Sequence, residues 1–157
     1  MSNTENDITI RKGKEADFPN VIELIREFSE FQKMPEKMNN TVARMKSEKA
    51  YFHFFVAEAN TSEVIGYATY FYAYFTWIGK SLYMDDLYVK PVYRGKGIGK
   101  RLMQSVFEVA KSENCKKLRW QVSEWNKPAI EFYKSMGAQV DDVELNCDLW
   151  LKPDTTL

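Results

Sequence analysis

Residues 81–110 read SLYMDDLYVKPVYRGKGIGKRLMQSVFEVA, and they decide the fold because they place a strand, a glycine-rich loop and a helix in succession. The run 81–89 is rich in aromatic and aliphatic residues, and Pro91 ends it because proline cannot donate to a sheet ladder. From Ile98 the apolar residues recur with the helical period to about Glu113. The glycine loop is therefore held between the end of a strand and the start of a strong helix.

Backbone N–H groups of a turn and of a helix N-terminus are free to bind an anion at such a place. Glycines let the backbone approach phosphate oxygens without a Cβ in the way, and Arg94, Lys96 and Lys100 add positive charge. No GKS or GKT follows a four-residue gap, which excludes a Walker A loop. A Rossmann fingerprint also fits poorly, because its glycines would open the first βαβ unit, whereas the glycines of this chain come after residue 94. A pyrophosphate is the predicted ligand, and a glycine-rich turn with solvated basic side chains is the alternative.

Periodicity and turn residues predict the remaining elements. Strands are predicted at 8–12, 51–59, 64–75, 81–89, 117–122, 139–143 and 147–151, and helices at 16–33, 41–49, 98–113 and from Asn126 to Met136. The order β-α-α-β-β-β-α-β-α-β-β predicts an α+β fold. Its sheet is mixed, mostly antiparallel and twisted, with about seven strands and four flanking helices. We expect a single domain over 1–157, with a core at about 8–151 and flexible termini.

Composition limits the partners. Lys plus Arg and Asp plus Glu number 22 each, so no net charge favours nucleic acid or an anionic membrane. The N-terminus lacks the apolar stretch of a secretory signal, and no run approaches the roughly 20 apolar residues that span a bilayer. Cys115 and Cys147 lie far apart without a Cys/His cluster, so no metal site is predicted. We expect a cytoplasmic protein.

Two motifs carry a resemblance to a known family. The R-G-x-G-I-G loop and the stretch W-N-x-P-A-x-x-F-Y-x-x-x-G-A, residues 125–138, resemble the acetyl-CoA-binding motifs of the GNAT superfamily. WIGK at 77–80, YMDDLYV at 83–89 and SEWNKPAIEFYKSMGA at 123–138 are similar to the diamine (spermidine/spermine) acetyltransferases and their thialysine-acetylating relatives. The resemblance covers roughly residues 8–151. It implies the GNAT fold, acetyl-CoA as co-substrate, and acetyl transfer to a primary amine such as a diamine, a polyamine or a lysine-like amine.

The resemblance also implies how the cofactor is held. The strand edge from Leu87 to Val89 would pair with the pantetheine arm and polarise the thioester carbonyl, and the glycine loop would hold the pyrophosphate. Asn126 resembles the family asparagine that bonds the cofactor, and it equally fits a simple helix cap. The predicted cofactor-binding residues are Leu87, Tyr88, Val89, Arg94, Gly95, Lys96, Gly97, Ile98, Gly99, Lys100, Asn126, Lys127 and Tyr133.

Acetyl transfer to an amine needs a base and an acid. An alkyl ammonium with a pKa of about 10.4 is only about 0.04% neutral at pH 7, so a carboxylate must take its proton. Strand alternation sends Asp85 and Asp86 to opposite faces, and only one of them would face the acceptor. The family usually has Glu at the first of these positions. We predict Asp85 as the base, acting through water, and Asp86 as the residue that binds the substrate cation. Tyr133 resembles the family's general acid, which protonates the departing thiolate.

Phe31, Gln32 and Trp77 complete the predicted substrate-binding residues, with Asp85 and Asp86. Polyamine acetyltransferases carry acids where this chain has Phe75 and Gln32, which should lower affinity for a polycation. The single histidine, His53, matches no family motif and is not predicted as the base. The family is commonly homodimeric. Two alternatives stay open: acetylation of a protein N-terminus or lysine, and a non-enzymatic acyl-CoA-binding module.

Overall fold

A five-stranded sheet is the centre of the structure, a computed structural model that describes residues 7–156. The strands are β1 (Ile8–Lys12), β2 (His53–Ala59), β3 (Val64–Phe75), β4 (Gly79–Val89) and β5 (Leu118–Arg119), in that spatial order. β1 to β4 pair antiparallel, and β5 lies parallel to β4. The prediction of a mixed, mostly antiparallel sheet is confirmed.

The four α-helices are α1 (Phe18–Phe31), α2 (Val42–Ser47), α3 (Ile98–Ser112) and α4 (Lys127–Ser135). Thr41 caps α2 by accepting a hydrogen bond from the backbone N–H of Arg44, and Asn126 caps α4 in the same way through Ala129. None of the described helices is long and apolar enough to cross a membrane. The chain divides into two units, one ending at Gln121 with the sheet and α1 to α3, the other beginning at Val122 with α4.

Two apolar helix faces build the core of the first unit. Phe18, Val21 and Leu24 of α1 are buried in one cluster with Val56 of β2 and Tyr67 of β3. The preceding residue of β3, Gly66, faces the other side of the sheet, where a Cβ would lie 3.4 Å from Leu102 Cδ1 of α3. The sheet is thus covered on both faces, and each fully buried Leu or Val contributes about 1.5–3 kcal/mol.

The two predicted closing strands, 139–143 and 147–151, are wrong: the structure has no strand there. All of these residues are exposed, and acidic residues such as Asp141, Asp142 and Asp148 are poor strand formers. The predicted strand 117–122 shrinks to two residues. The described residues therefore form five strands, not about seven. The predicted flexible ends include residues 1–6 and Leu157, which lie outside the described residues.

Candidate active site

β4 has an open edge. It pairs with β3 along its whole length, from Gly79 to Val89, but with β5 only at Leu82 and Tyr83. Beyond Tyr83, the side of β4 that faces away from β3 therefore has no strand partner among the described residues. An open edge offers backbone N–H and C=O groups to an extended ligand. The predicted pantetheine-binding run, 87–89, lies on this edge.

A β-bulge interrupts β4 at the two acids. Met84 pairs with Tyr70 and Asp86 with the adjacent Thr69, so that Asp85 is an extra residue without a partner on β3. A bulge breaks the alternation of side chains and re-aims them. The strict alternation from which the separation of Asp85 and Asp86 was predicted therefore does not hold at this position, and the charge of Asp85 acts on the Asp86 carboxyl.

Asp86 is held by two residues of β3. The hydroxyl of Tyr67 donates a hydrogen bond to Asp86 Oδ2 at 2.7 Å, and the Asp86 backbone N–H donates to Thr69 Oγ1 at 3.0 Å. Burial, reinforced by the charge of Asp85 and opposed by the Tyr67 hydrogen bond, raises the pKa of Asp86 to about 7. Asp86 therefore changes its charge near neutral pH.

Asp85 differs from its neighbour in exposure. Asp85 is exposed, yet the protein around it desolvates the carboxyl and raises its pKa above the ordinary value. Two adjacent acids with raised pKa values on an open strand edge are typical of a site that moves a proton.

The glycine loop has the backbone geometry of an anion-binding turn. Gly95 and Gly97 have φ of +76° and +75°, and a Cβ on either would meet nothing within 4 Å. Their conformation, and not a lack of space, therefore requires glycine. Gly97 is the N-cap of α3, and the first hydrogen bond back to it comes from Arg101 at 3.0 Å. The amides of 98–100 thus lack helical acceptors and can face a phosphate.

The basic side chains of the loop differ in what they contact. Lys96 and Lys100 are exposed and can meet an anion. Arg94 instead donates Nε–H to the carbonyl of Val89 at 2.8 Å, and its guanidinium lies 4.7 Å from the ring of Phe31 and 5.2 Å from that of Tyr88. Arg94 thus ties the loop to the last residue of α1. Its predicted contact with the cofactor stays a prediction.

The second unit carries the predicted acid. Tyr133 is buried within α4, and burial raises the pKa of its phenol to about 12. The phenol therefore keeps its proton at every pH at which an enzyme is ordinarily assayed. Asn126 Oδ1 accepts from Ala129 N at 3.3 Å, which supports the helix-cap interpretation, and Lys127 is the first residue of the helix.

The predicted substrate-binding residues are not all brought together. Phe31 ends α1, Gln32 is its C-cap, and the ring of Phe31 stacks on Arg94. Trp77 lies in the turn between β3 and β4 and is 97% exposed. The seven residues of extended β4 from Gly79 to Asp85, six steps along the strand, span roughly 20 Å. Within one chain, Trp77 is therefore remote from Asp85.

Sequence reasoning missed Tyr67 and Thr69. The sequence did contain a signal for them. Tyr67 and Thr69 are alternate residues of β3 and so share one face of the strand, and the hairpin 64–89 pairs this part of β3 with the part of β4 that contains Asp86. Simple counting back from the turn, however, would have put Asp85 opposite Thr69. The inserted residue of the bulge moves Asp86 into that position.

An open strand edge, a glycine turn and an acid pair on successive elements are the features expected of an acyl-transferring enzyme. The model of the acetyltransferase (GNAT) family matches residues 18–138, more than half of the chain, which therefore belongs to that family. The family and the fold predicted from the sequence are thus confirmed.

Curated relatives and a solved structure agree with this. Thialysine N-epsilon-acetyltransferase of Bos taurus is 38% identical over 143 residues, 84% of each chain. Spermidine/spermine N(1)-acetyltransferase-like protein 1 of Homo sapiens is 30% identical over 82% of this chain and 20% of that longer protein. An aminoglycoside acetyltransferase from an uncultured soil metagenomic sample has a TM-score of 0.79 at 21% identity, covering 96% of this chain and 100% of that one. This last likeness concerns the fold alone.

Proposed function

We propose that the protein transfers the acetyl group of acetyl-CoA directly to a primary amine of a small molecule, either a lysine-like amine such as thialysine or a short diamine. The observation that carries the proposal is the acid pair at the bulge of β4, on the open edge next to the glycine loop. A cationic amine needs an acid to bind it and a base to deprotonate it, and the pair offers both.

The proposed reaction is a single transfer. Asp85 accepts a proton from the substrate ammonium through water, and Asp86 binds the cation. The neutral amine then attacks the thioester carbon, a C–N bond forms and the C–S bond breaks, and the nitrogen gives up its second proton, which passes through water and restores the phenol of Tyr133 after that group has protonated the sulfur. Tyr133 supplies the proton that the departing thiolate takes. Backbone N–H groups of 87–89 stabilise the negative charge that develops on the carbonyl oxygen.

The fit to coenzyme A is supported by the residues of the loop. Amides at the start of α3 and the exposed Lys96 and Lys100 suit a diphosphate, and the open edge of β4 suits an extended arm that carries amide groups. The cofactor supplies the activated acyl group, and the chain supplies its binding, its orientation and the movement of protons.

A lysine-like acceptor is supported over a polyamine by the charges near Phe75, which pairs with Gly79 at the Trp77 end of the hairpin and would, like Trp77, serve the site of the other copy in a dimer. The ammonium of Lys117 lies 4.3 Å from the centre of this ring, and the guanidinium of Arg119 lies 5.1 Å from it. Polyamine acetyltransferases carry an acid at this position. A ring that already packs against two cations does not attract a third cation.

We also propose that the enzyme is a homodimer. The turn between β3 and β4 and the strand end before it present Tyr72, Tyr74 and Trp77 to solvent, with Trp77 97% exposed. Large aromatic side chains grouped at one end of a hairpin suit a protein interface. In a dimer, Trp77 would serve the site of the other copy, which fits its distance from Asp85 in its own chain.

The substrate class is tested with a thiol-release assay on acetyl-CoA and a panel of thialysine, lysine, short diamines, spermine and lysine-containing peptides. We expect kcat/KM for the best small amine to exceed that for spermine at least about tenfold, because the two missing acid contacts each contribute about a kcal/mol. Turnover of peptides without turnover of small amines would contradict the proposal. Binding of coenzyme A without transfer to any amine would favour a non-catalytic module.

The glycine loop is tested by Gly97→Ala. A residue with a Cβ is strained by about 1–2 kcal/mol at φ +75°, so the loop should shift and lower acetyl-CoA affinity about tenfold by calorimetry. Gly79→Ala is the matched control, since Gly79 has φ +100° in the β3–β4 turn and equally open surroundings. We expect Gly79→Ala to lose similar stability and to keep its affinity. Equal affinities in both variants would remove the loop from the binding site.

A further inference from the structure

The carboxyl of Asp86 is fixed at one oxygen and open at the other. Oδ2 accepts the hydrogen bond from Tyr67, and Oδ1 accepts none from the described residues. No buried side-chain oxygen or nitrogen among these residues lacks a partner. Oδ1 is therefore not fully enclosed, and it is the oxygen of Asp86 left to accept from a cation.

The donor to Oδ2 is placed with little freedom. Tyr67 has no exposed surface and packs in the cluster beneath α1, with its ring 6.4 Å from that of Tyr88. Burial and the nearby carboxylates raise the pKa of its phenol well above the ordinary value, so the hydroxyl remains a donor. Thr69, itself 9% exposed, holds the backbone of Asp86 directly after the bulge.

We propose that Tyr67 and Thr69 are positioning residues for acetyl transfer: together they hold Asp86 after the bulge so that its open oxygen meets the acceptor amine. The inference rests on the proposed function. Tyr67 acts through the carboxyl and touches neither the amine nor the thioester. A buried phenol that donates to the ionised carboxyl also favours ionisation, which keeps Asp86 available as an anion near neutral pH.

The hydrogen bond from Tyr67 changes the pKa of Asp86 in the direction opposite to that of burial and of Asp85. Asp85 and Tyr88 are the further charged or titratable groups that act on Asp86 or on Tyr67. The hydroxyl of Tyr88 donates to Glu27 Oε2 of α1 at 3.3 Å, and the guanidinium of Arg94 lies 5.2 Å from the centre of the Tyr88 ring. The buried residues of α3 are all apolar. Asp85 and burial disfavour the anion, and the hydrogen bond from Tyr67 favours it.

The test is Tyr67→Phe, with Tyr70→Phe as the matched control. Tyr70 is a buried tyrosine three residues further along β3 that stacks on Phe55 and has no hydrogen bond to Asp86. In Tyr67→Phe we expect the acidic limb of the kcat/KM profile to move up by roughly one pH unit and the KM for the amine to rise about tenfold. The KM for acetyl-CoA should stay unchanged. Tyr70→Phe should match the wild type in all three quantities.

A second measurement does not depend on turnover. In ¹³C NMR of aspartate carboxyl carbons, the Asp86 signal is identified by its loss in Asp86→Asn. We expect its midpoint to rise in Tyr67→Phe and to stay in place in Tyr70→Phe. An unmoved midpoint in folded Tyr67→Phe overturns the inference. If no amine is acetylated by the wild type, the proposed function fails and so does the catalytic role of Tyr67, while the titration still reports whether Tyr67 holds Asp86.

Thr69 provides a second route, with substitutions that change little volume at its buried position. Thr69→Ser keeps the oxygen that accepts from Asp86 N–H, and Thr69→Val removes it with little change of volume. We expect Thr69→Val to raise the amine KM and Thr69→Ser to restore the wild-type value. Equal amine KM values in the two variants, with circular dichroism showing folded protein, overturn the role of Thr69, and this pair decides the inference if Tyr67→Phe does not fold.

Discussion

Tyr133→Phe is expected to lower kcat at least about 100-fold and to leave the dissociation constant for acetyl-CoA within about twofold of the wild type. A general acid that protonates the departing thiolate of coenzyme A lowers the barrier to C–S cleavage, and such catalysis contributes about 10²–10⁴-fold. Because burial raises the pKa of Tyr133 to about 12, nearly every molecule carries the phenolic proton at assay pH. The variant keeps the ring and its packing and loses only the donor.

Turnover and binding must be measured separately for this variant, by single-turnover kinetics and by calorimetry. Tyr51→Phe is the control, because Tyr51 is a tyrosine 79% exposed outside the site. Only the loss of kcat at unchanged binding supports the acid role. If Tyr133→Phe turns over at the wild-type rate, the proton comes from elsewhere, and water is the first candidate.

The elements with strong local patterns were predicted well. α3 begins at Ile98 as predicted, since the glycines before it and the apolar stripe after it are both local features. β3 has the predicted bounds, Val64–Phe75. The two closing strands failed because strand formation depends on a partner elsewhere in the chain, which alternation of residue types does not provide.

In the candidate site, too, the local features were predicted and the features that depend on distant parts of the chain were not. The acid pair and the glycine turn were predicted from residue types and spacing, and the strand edge from the resemblance to the family. The bulge at Asp85 was not, because a bulge results from the register between two strands and leaves no local signature. Tyr67 and Thr69 were consequently missed, since only the shifted register brings them to Asp86. The role of Arg94 as a tie to Phe31 also depends on contacts that are distant in the sequence.

Asp85→Asn is expected to lower turnover at pH 7 at least about 100-fold, because an amide cannot accept the proton of the substrate ammonium. The remaining rate should depend on the fraction of amine that is already neutral. It should therefore rise about tenfold per pH unit until the pH approaches the amine pKa of about 10.4. This slope distinguishes a lost base from a damaged fold, which would lower the rate equally at every pH.

Asp85→Glu is the matched control for that variant, since the glutamate keeps a carboxylate and is the residue that the family usually carries at this position. We expect it to retain most of the activity and the wild-type pH profile. Removing the charge of Asp85 also relieves the repulsion that raises the pKa of Asp86, so the Asp86 carboxyl should ionise at lower pH in Asp85→Asn than in Asp85→Glu. If Asp85→Asn keeps both the rate and the pH profile of the wild type, Asp85 is not the base. Asp86, with a pKa of about 7 and one open oxygen, would then take that role.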